Sequence, residues 1–392
     1  MPRLHISLVE ASPKGAVALV FGADFHITDA SGKVRASTTT AAADGVAKIE
    51  RPSKGDIRAA TFSRDGALFA ICTVDKGLYI YETEHWTTVR SLVSEKRTNA
   101  LAFDPQGEFL ITADKFGDAY RVSTSSNQEE EKKKKPELLL GHVSILCAIA
   151  FTFNEKPLVL SCDRDEKLRV SKYPNSYNIQ SFGLGHTEFV TTVSAARFAP
   201  DSAVTGSGDG TLRLWDMPSG ALVQTIELRT YLAKYYESGA VQRGTDSYED
   251  RTASTDRYGV LRVRAIDAIE AFVAIAERIP AVIVFPLCQG RLGEPQIIDV
   301  AVPPTDVAVL GDRMVVSFAP KDGADLVVAL KLDGDGHHKY VADEELTAAL
   351  SSNIDTKETE SVPLVQSIFV WGNKMYLARP KDEEGEDGDE ED

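Results

Sequence analysis

Two histidines, His142 and His186, each follow a glycine, and histidine can serve as a metal ligand or as a general base. A metal centre needs further ligands at short spacing, and a general base needs a nucleophile placed beside it. The sequence supplies neither companion for either histidine. We therefore predict that this chain has no catalytic, metal-binding or cofactor-binding residues.

A glycine-rich run, Gly206 to Thr211 (GSGDGT), follows the second histidine. A phosphate-binding loop would need a lysine and a helix directly after the glycines. Neither is present here, and a strand pattern follows instead. The run therefore predicts a tight turn between two strands.

Both motifs belong to a repeated unit of a strand, a turn, a second strand, an Asp-containing turn and a third strand. Four copies are clear: Ile57 to Tyr81, Thr98 to Val122, Val143 to Val170 and Phe189 to Asp216. The aspartates assigned to the second turn, Asp75, Asp114, Asp165 and Asp209, are 39, 51 and 44 residues apart. This spacing is close to the period of about 40–45 residues of WD-repeat blades. We predict an all-β WD-repeat β-propeller, for which seven blades fit best and six or eight stay open.

Gly141-His142, Gly185-His186 and Trp215-Asp216 form the WD-repeat signature. In such blades a histidine, a hydroxyl residue, an aspartate and a tryptophan form a hydrogen-bonded chain between outer and inner strands. In the fourth copy His186, Asp209 and Trp215 fit these places, with Thr205 or Ser207 as the hydroxyl. We predict that they are structural residues of the blade.

We assign residues 1–378 to the propeller and residues 379–392 to an acidic, disordered tail. Short strands are predicted before the repeats, at His5 to Val9, Ala16 to Phe21 and Asp24 to Thr28. We expect the ring to close by placing Leu4 to Val9 beside Ser367 to Ala378 in one blade. Insertions at about residues 125–137, 230–256 and 334–362 are predicted surface loops. Two short helices are possible within them, at Tyr231 to Glu237 and Asp343 to Leu350.

The composition is that of a soluble globular protein, with 392 residues of which 43% are hydrophobic and 26% charged. The net charge is −16, and nine acidic residues and one lysine in residues 381–392 contribute −8 of it. This acidity argues against nucleic acid as the main direct partner. Four scattered cysteines without a C-x-x-C pair, no secretion signal and no long apolar run favour an intracellular protein without a membrane span.

Two charged turns are candidate partner-binding sites, because propellers meet their partners at the ends of the blades. One contains Lys115 within Ala113 to Asp118, and the other is Asp163-Arg164-Asp165-Glu166-Lys167. Arg164 can hold a carboxylate with two parallel hydrogen bonds. The lysine run Lys132, Lys133, Lys134 and Lys135 could contact phosphate, or it could pair with Glu129 to Glu131 in a solvated loop.

Four strings resemble one family: Ala113 to Asp118, Leu139 to Ser144, Asp163 to Pro174 and Leu184 to Val190. It is the WD-repeat non-catalytic subunit of the eukaryotic tRNA (guanine-N(7)-)-methyltransferase. The resemblance covers roughly Leu101 to Asp216, about a third of the chain.

The resemblance implies a heterodimer with a separate catalytic subunit that binds S-adenosylmethionine and forms 7-methylguanosine in the variable loop of tRNA. This chain would stabilise that enzyme and help to position tRNA, with Lys132 to Lys135 as a possible tRNA contact, and it would act in the nucleus. By the same analogy Lys115, Asp163, Arg164, Asp165 and Lys167 would face the methyltransferase. The sequence agrees in one respect, since no glycine-rich loop with a following acidic residue is present to bind S-adenosylmethionine.

Two other functions are compatible with a propeller. A general WD-repeat adaptor for a ubiquitin ligase or a chromatin complex would co-purify with no tRNA methyltransferase. A propeller hydrolase with a central metal would need inward-pointing Asp, Glu, Asn or His residues from several blades, and the sequence shows no such convergent set.

Overall fold

The computed structural model describes residues 6–39, 45–50, 53–125, 135–237, 259–319, 325–334 and 339–352. Within these residues seven sheets follow one another along the chain and form the seven blades of a β-propeller; they are antiparallel except for one short parallel pair in the first sheet. The predicted fold class and the favoured blade number are thus confirmed. The four clear sequence repeats are blades 2 to 5.

The strands follow in chain order. Blade 1 contains β1 (Leu8–Ala11), β2 (Val17–Phe21), β3 (Asp24–Thr28), β4 (Val34–Ser37) and β5 (Ala47–Lys48). Blade 2 contains β6 (Ile57–Phe62), β7 (Leu68–Thr73), β8 (Gly77–Glu82) and β9 (Thr88–Val93). Blade 3 contains β10 (Thr98–Phe103), β11 (Phe109–Asp114), β12 (Asp118–Ser123) and β13 (Glu137–Gly141). Blade 4 contains β14 (Leu146–Phe151), β15 (Leu158–Asp163), β16 (Leu168–Lys172) and β17 (Ile179–Gly183).

The second half of the ring is less regular. Blade 5 contains β18 (Val190–Ala195), β19 (Ser202–Ser207), β20 (Thr211–Asp216) and β21 (Leu222–Glu227). Blade 6 contains β22 (Val260–Ile266), β23 (Ala271–Ala276), β24 (Ala281–Cys288), β25 (Arg291–Leu292) and β26 (Gln296–Asp299). Blade 7 contains β27 (Pro304–Leu310), β28 (Arg313–Phe318), β29 (Val327–Leu332) and β30 (Tyr340–Ala342). A single 3-10 turn, Asp267–Ile269, separates β22 from β23.

The hydrophobic core lies between the blades. Seven buried clusters are found in the described residues, and each is built by two neighbouring blades. Phe69 of blade 2, for example, packs against Phe25 of blade 1, with ring centroids 5.4 Å apart. A single four-stranded sheet cannot bury both of its apolar faces, so each blade depends on its two neighbours.

A β-bulge recurs at the start of the innermost strand in blades 2 to 7. The extra residue often bonds to the next blade. Asn99 Nδ2 donates to the carbonyl of Leu146 at 3.0 Å, and Thr191 Oγ1 donates to that of Val260 at 2.6 Å. These side chains join the inner strands around the central channel.

The predicted pairing of the first strand with residues 367–378 stays a prediction. Residues Leu8 to Ala11 pair with Val17 to Phe21 inside blade 1. The proposed partner strands at 367–378 lie outside the described residues, as do the predicted boundary at 378 and the tail at 379–392. In the described residues the first and last blades meet through a shared core instead, in which Val9 and Val17 pack with Ala308 and Val315.

Two predicted loops contain regular structure. Helix α1 (Leu228–Glu237) begins the 230–256 insertion, and its Leu228, Leu232 and Tyr235 are buried against blades 5 and 6. The 334–362 insertion contains β30 and helix α2 (Glu344–Ser352), whose Leu346 and Leu350 are buried between blades 7 and 1. The four-residue spacing of these apolar side chains puts them on one helical face. None of the described helices is long and apolar enough to cross a membrane.

Candidate protein interface

The turn between the second and third strands of each blade lies at the same end as the connection from the preceding blade. We call this end of the ring the upper face. Hydrogen bonds tie turn and connection together: Lys115 N donates to Arg97 O at 3.0 Å, and Arg164 N donates to Ile145 O at 2.9 Å. The two predicted partner-binding turns therefore lie on one face, in the adjacent blades 3 and 4.

The turn of blade 3 is shaped by Asp114. Its Oδ1 atom accepts hydrogen bonds from the amides of Phe116 at 2.7 Å and Asp118 at 3.0 Å. Gly117 has a φ of 100°, and a Cβ atom there would stand 2.5 Å from the carbonyl oxygen of His142. Only glycine allows the turn to lie so close to the connection that follows blade 3.

The tip of this turn presents an aromatic ring between two lysines. Phe116 is 54% exposed, and the Nζ atoms of Lys96 and Lys115 lie 4.5 Å and 5.2 Å from its ring centroid. Val143, on the neighbouring connection, is fully exposed. Exposed apolar groups with a cationic rim are typical of a binding surface. Phe116 and Val143 were not among the predicted site residues, although an aromatic residue within a charged turn was a usable signal.

Asp163 does not lie on this surface. Only 2% of it is exposed; Oδ2 contacts His142 Nδ1 at 2.8 Å, and Oδ1 accepts the amide of Lys167 at 3.0 Å. This corrects its assignment as a partner-binding residue: the carboxylate shapes the turn from inside the blade.

The other members of the blade 4 turn face solvent, except for Arg164, which is only part-exposed. Asp165, Glu166 and Lys167 are exposed, and Arg164 retains 23% exposure of its side chain. Asp165 Oδ1 accepts a hydrogen bond from Ser144 Oγ at 2.7 Å and lies 3.6 Å from Arg164 Nε. The turn therefore presents Arg164 and Lys167 in a fixed arrangement beside Val143.

The hydrogen-bonded chain of blade 5 runs through Thr205. His186 Nε2 contacts Thr205 Oγ1 at 2.7 Å, and Trp215 Nε1 donates to the same oxygen at 2.8 Å. His186 Nδ1 contacts Asp209 Oδ2 at 2.8 Å. Ser207, the other hydroxyl considered, donates to the carbonyl of Glu188.

The pKa of Asp209 reflects two opposing effects. Burial, the largest effect, raises it, but hydrogen bonds from His186, Thr211 and the amide of Thr187 together outweigh burial. The result is a pKa lowered to about 2. Asp209 is therefore a charged, hydrogen-bonded part of the blade.

The corresponding chain of blade 4 uses a different aspartate. His142 contacts Ser161, but its second nitrogen contacts Asp163 at the end of β15 rather than Asp165 in the turn. Strand register makes Thr73, Asp114, Asp163 and Ser207 equivalent. The sequence alignment of Asp114 with Asp75, Asp165 and Asp209 was therefore displaced by two residues.

Arg169 is a structural residue that the sequence analysis did not single out. It is only 8% exposed, and its guanidinium donates to Ser171 Oγ at 2.9 Å and to the carbonyls of Gly141 and Ser176, each at 2.8 Å. These bonds hold the connection beside Val143 against β16. The sequence did not indicate that the charged residue between Leu168 and Val170 would be buried.

Of the lysine run, Lys132 to Lys134 lie outside the described residues. Lys135 is exposed and lies two residues before the start of β13, at the end of that strand near Arg121 rather than near Asp118. It therefore lies at the opposite end of blade 3 from Lys115, about 17 Å away along the strand.

One group in the described residues has three potential metal ligands close together, Glu82, Glu84 and His85. All three lie in the turn between β8 and β9, where Glu82 accepts hydrogen bonds from the amides of Glu84 and His85. This arrangement is that of a turn capped by a carboxylate. The expected lack of catalytic, metal and cofactor residues stays a prediction.

A family model described as "tRNA methyltransferase TRM82 WD40 domain" matches residues 26–137 and 123–331. This chain belongs to that family. A Xenopus laevis relative, named "tRNA (guanine-N(7)-)-methyltransferase non-catalytic subunit wdr4", is 31% identical over 294 residues, 74% of this chain and 69% of the relative. The similarity to the TRM82 family therefore covers much more of the chain than the third that carried the resemblance.

Two further relatives have matching names. The Homo sapiens "non-catalytic subunit WDR4" of the same enzyme is 37% identical over 174 residues, and the match spans 44% of this chain but only 41% of the relative. The Meyerozyma guilliermondii "non-catalytic subunit TRM82" is 36% identical over 203 residues, 48% of each chain. A chain in the "Crystal Structure of Mitotic Checkpoint Complex" shares the fold, with a TM-score of 0.60 and 14% identity over 81% of this chain and 88% of that chain.

Proposed function

We propose that this chain is the non-catalytic subunit of a tRNA (guanine-N(7)-)-methyltransferase and forms a heterodimer with a separate catalytic subunit. The observation that carries the proposal is membership in the TRM82 family, whose human, frog and yeast relatives are all named non-catalytic subunits of that enzyme. S-adenosylmethionine would bind to the catalytic subunit. The chemistry would take place there.

The upper face of blades 3 and 4 supplies a surface for such a partner. We call Lys115, Phe116, Val143, Arg164 and Lys167 the docking surface. Its centre is apolar, and its rim carries Lys115, Arg164 and Lys167 beside the exposed carboxylates of Asp165 and Glu166. This combination suits a partner surface that offers an apolar pocket surrounded by charged groups of both signs.

The rigidity of this surface supports an activating role. Asp114, Asp163 and Arg169 fix the two turns and the connection between them from inside the blades. A rigid platform that binds the active conformation of the enzyme better than the inactive one increases the population of the active form. The expected effect is on the amount of active enzyme, with no group of this chain in the reaction.

We further propose that tRNA is positioned by the complex as a whole. Lys135, at the opposite end of blade 3 from Lys115, would leave the docking surface free for the protein partner.

We place this activity in the nucleus, where imaging of a fluorescently tagged chain would test it. Exclusion of the tagged protein from the nucleus would refute that location.

The deciding experiment is co-expression with a candidate catalytic subunit. We expect 7-methylguanosine in tRNA to be high only when both chains are present, and the two chains to co-purify in equal amounts. If the catalytic chain alone gives the full level and does not co-purify with this one, the proposal fails. A general adaptor for a ubiquitin ligase or chromatin complex would then be the function to pursue.

A further inference from the structure

Blade 4 exposes apolar side chains on its outer strand. Phe182, in β17, is 41% exposed, and Leu184, directly after β17, is 61% exposed. Phe182 lies opposite Arg169 of β16, and continuing this register places Leu184 opposite Lys167. Opposite residues and alternate residues of paired strands share a face, so these side chains lie on one side of the blade. We call Phe182 and Leu184 the outer strip. It begins at Lys167, where the docking surface ends.

The other regular blades show that the fold does not require apolar residues here. Strand register gives three equivalent surface positions in each of blades 2 to 5, one in the connection before the inner strand and two on or after the outer strand. In blade 4 all three are apolar: Val143, Phe182 and Leu184. The corresponding residues are Lys54, Ser91 and Val93 in blade 2, Glu95, Leu138 and Gly141 in blade 3, and Thr187, Thr225 and Glu227 in blade 5. The propeller accommodates polar residues at each position, so the apolar set in blade 4 indicates a contact outside the fold.

The outer strip lies on a fixed support. Arg169, opposite Phe182, is only 8% exposed and donates to the carbonyls of Gly141 and Ser176, each at 2.8 Å. Neighbouring exposed apolar side chains are typical of a binding surface. A rigid support lowers the entropy that is lost when a partner binds. The strip therefore suits an anchor for a protein partner.

The backbone of β17 is covered next to the strip, which restricts how a partner can bind. Ser181 Oγ donates to the carbonyl of Met217 in blade 5 at 2.6 Å. A Cβ atom at Gly220 would stand 2.5 Å from the carbonyl oxygen of Phe182. The outer turn of blade 5 thus lies against this stretch of β17, where an added strand would have to pair. A partner must instead bind through the side chains of the strip.

We propose that the outer strip binds an amphipathic helix of the catalytic subunit, whose apolar stripe packs against Phe182 and Leu184. These residues are two positions apart on an extended chain, which corresponds to roughly 7 Å. Apolar residues four positions apart on a helix are about 6 Å apart, so one helical face can contact both. Continuity with the docking surface at Lys167 identifies the catalytic subunit as the partner. This inference rests on the proposed function and extends the interface from the upper face to the outer edge of blade 4.

Titration calorimetry of the full chain with the purified catalytic subunit tests the strip. Phe182→Thr and Leu184→Glu introduce the residues that blade 5 has at the same positions, so both variants should fold with unchanged Tm. We expect each to weaken binding by about 10-fold and the double variant by about 100-fold. The matched control is Val93→Glu, which makes the same kind of change at the equivalent position of blade 2, where Val93 is 75% exposed. It should leave the affinity unchanged.

Hydrogen exchange of the catalytic subunit gives a second measurement, which identifies the segment that binds. We expect a helix with apolar residues three and four positions apart to gain protection in the native complex. With the Leu184→Glu chain at saturating concentration, the same helix should gain less protection.

The inference is overturned if the double variant binds as tightly as the native chain, if Val93→Glu weakens binding equally, or if no helix of the catalytic subunit gains protection that depends on the strip. If the native chain does not bind the catalytic subunit at all, the proposed function fails together with this inference. Tight binding by the native chain and by the double variant overturns the outer strip alone. The two failures are therefore distinguishable.

Discussion

The Oδ2 atom of Asp306 accepts a hydrogen bond from the backbone nitrogen of Val9 at 3.1 Å. This bond joins blade 7 to blade 1, across 297 positions of sequence. The other carboxylate oxygen lies 2.7 Å from Nε of Arg262 in blade 6. Asp306 is fully buried, so one side chain connects three consecutive blades where the ring closes.

We expect Asp306→Ala to destabilise the propeller by about 3–5 kcal/mol, because it leaves Arg262 and the amide of Val9 without their acceptor inside the ring. Urea unfolding at pH 7 measures the loss. The matched control is Asp267→Ala, since Asp267 pairs with Arg197 at 3.5 Å on the surface, where both side chains are about half exposed. That change should cost no more than about 1 kcal/mol. Equal losses in the two variants would contradict this role of Asp306.

The contrast between the blades and the ring closure shows what sequence can predict. Blades 2 to 5 follow from local patterns, since alternating apolar residues and turn residues specify each hairpin within about 45 residues. Closure depends on Asp306 and Val9, which no local pattern connects. The predicted pairing of Leu4 to Val9 with Ser367 to Ala378 followed a general expectation about propellers, and it stays a prediction because residues 367–378 lie outside the described residues.

The residues of the candidate interface could likewise be predicted only in part from the sequence. The turns around Lys115 and Arg164 were found because charged turns stand out in a repeat of strands. Burial of Asp163 was missed because the choice between Asp163 and Asp165 as the partner of His142 depends on strand register, which spacing alone does not fix. Arg169 was missed because it donates to the backbone carbonyls of Gly141 and Ser176. The types of side chain at these positions do not indicate such hydrogen bonds.

The low pKa of Asp209 predicts a pH-dependent contribution to stability. A carboxylate whose folded pKa lies below its unfolded value stabilises the fold above the unfolded pKa of about 4, and the contribution disappears as pH falls through the folded value. For Asp209 that value is about 2. Asp209→Asn should therefore lower the free energy of unfolding by about 2 kcal/mol at pH 7. The difference from the native chain should shrink between pH 4 and pH 2, as measured by urea unfolding at each pH. A difference that stays constant over this range would refute the assignment.

Arg169→Met should cost about 2–4 kcal/mol, because methionine fills a similar volume but leaves the carbonyls of Gly141 and Ser176 without their donor. The matched control is Arg213→Met. Arg213 occupies the same strand position in blade 5, and its Nε has no hydrogen-bond partner in the described residues. We expect that change to cost less than about 1.5 kcal/mol. If both variants unfold at the same urea concentration, the three bonds of Arg169 do not carry the stability assigned to them.

The last prediction concerns the docking surface. The double variant Lys115→Ala, Arg164→Ala removes cations from both turns, and Phe116→Ser removes the exposed ring between Lys96 and Lys115. Each should weaken binding of the catalytic subunit by about 10- to 100-fold, which corresponds to the cost of losing an interface anchor. The unfolding free energy should change little, because these side chains lie on the surface. Titration with the purified catalytic subunit measures the affinity, and 7-methylguanosine in tRNA reports the activity.

Lys135→Ala is the control for this surface, since it removes an exposed lysine from the same blade at the opposite end. It should leave the affinity for the catalytic subunit unchanged, and any effect should appear in the KM for tRNA. Because the docking variants weaken formation of the complex, an excess of the mutated chain should restore methylation of tRNA. If excess chain fails to restore methylation while the complex is fully formed, the upper face acts on catalysis or tRNA directly, and its assignment as a docking surface is wrong.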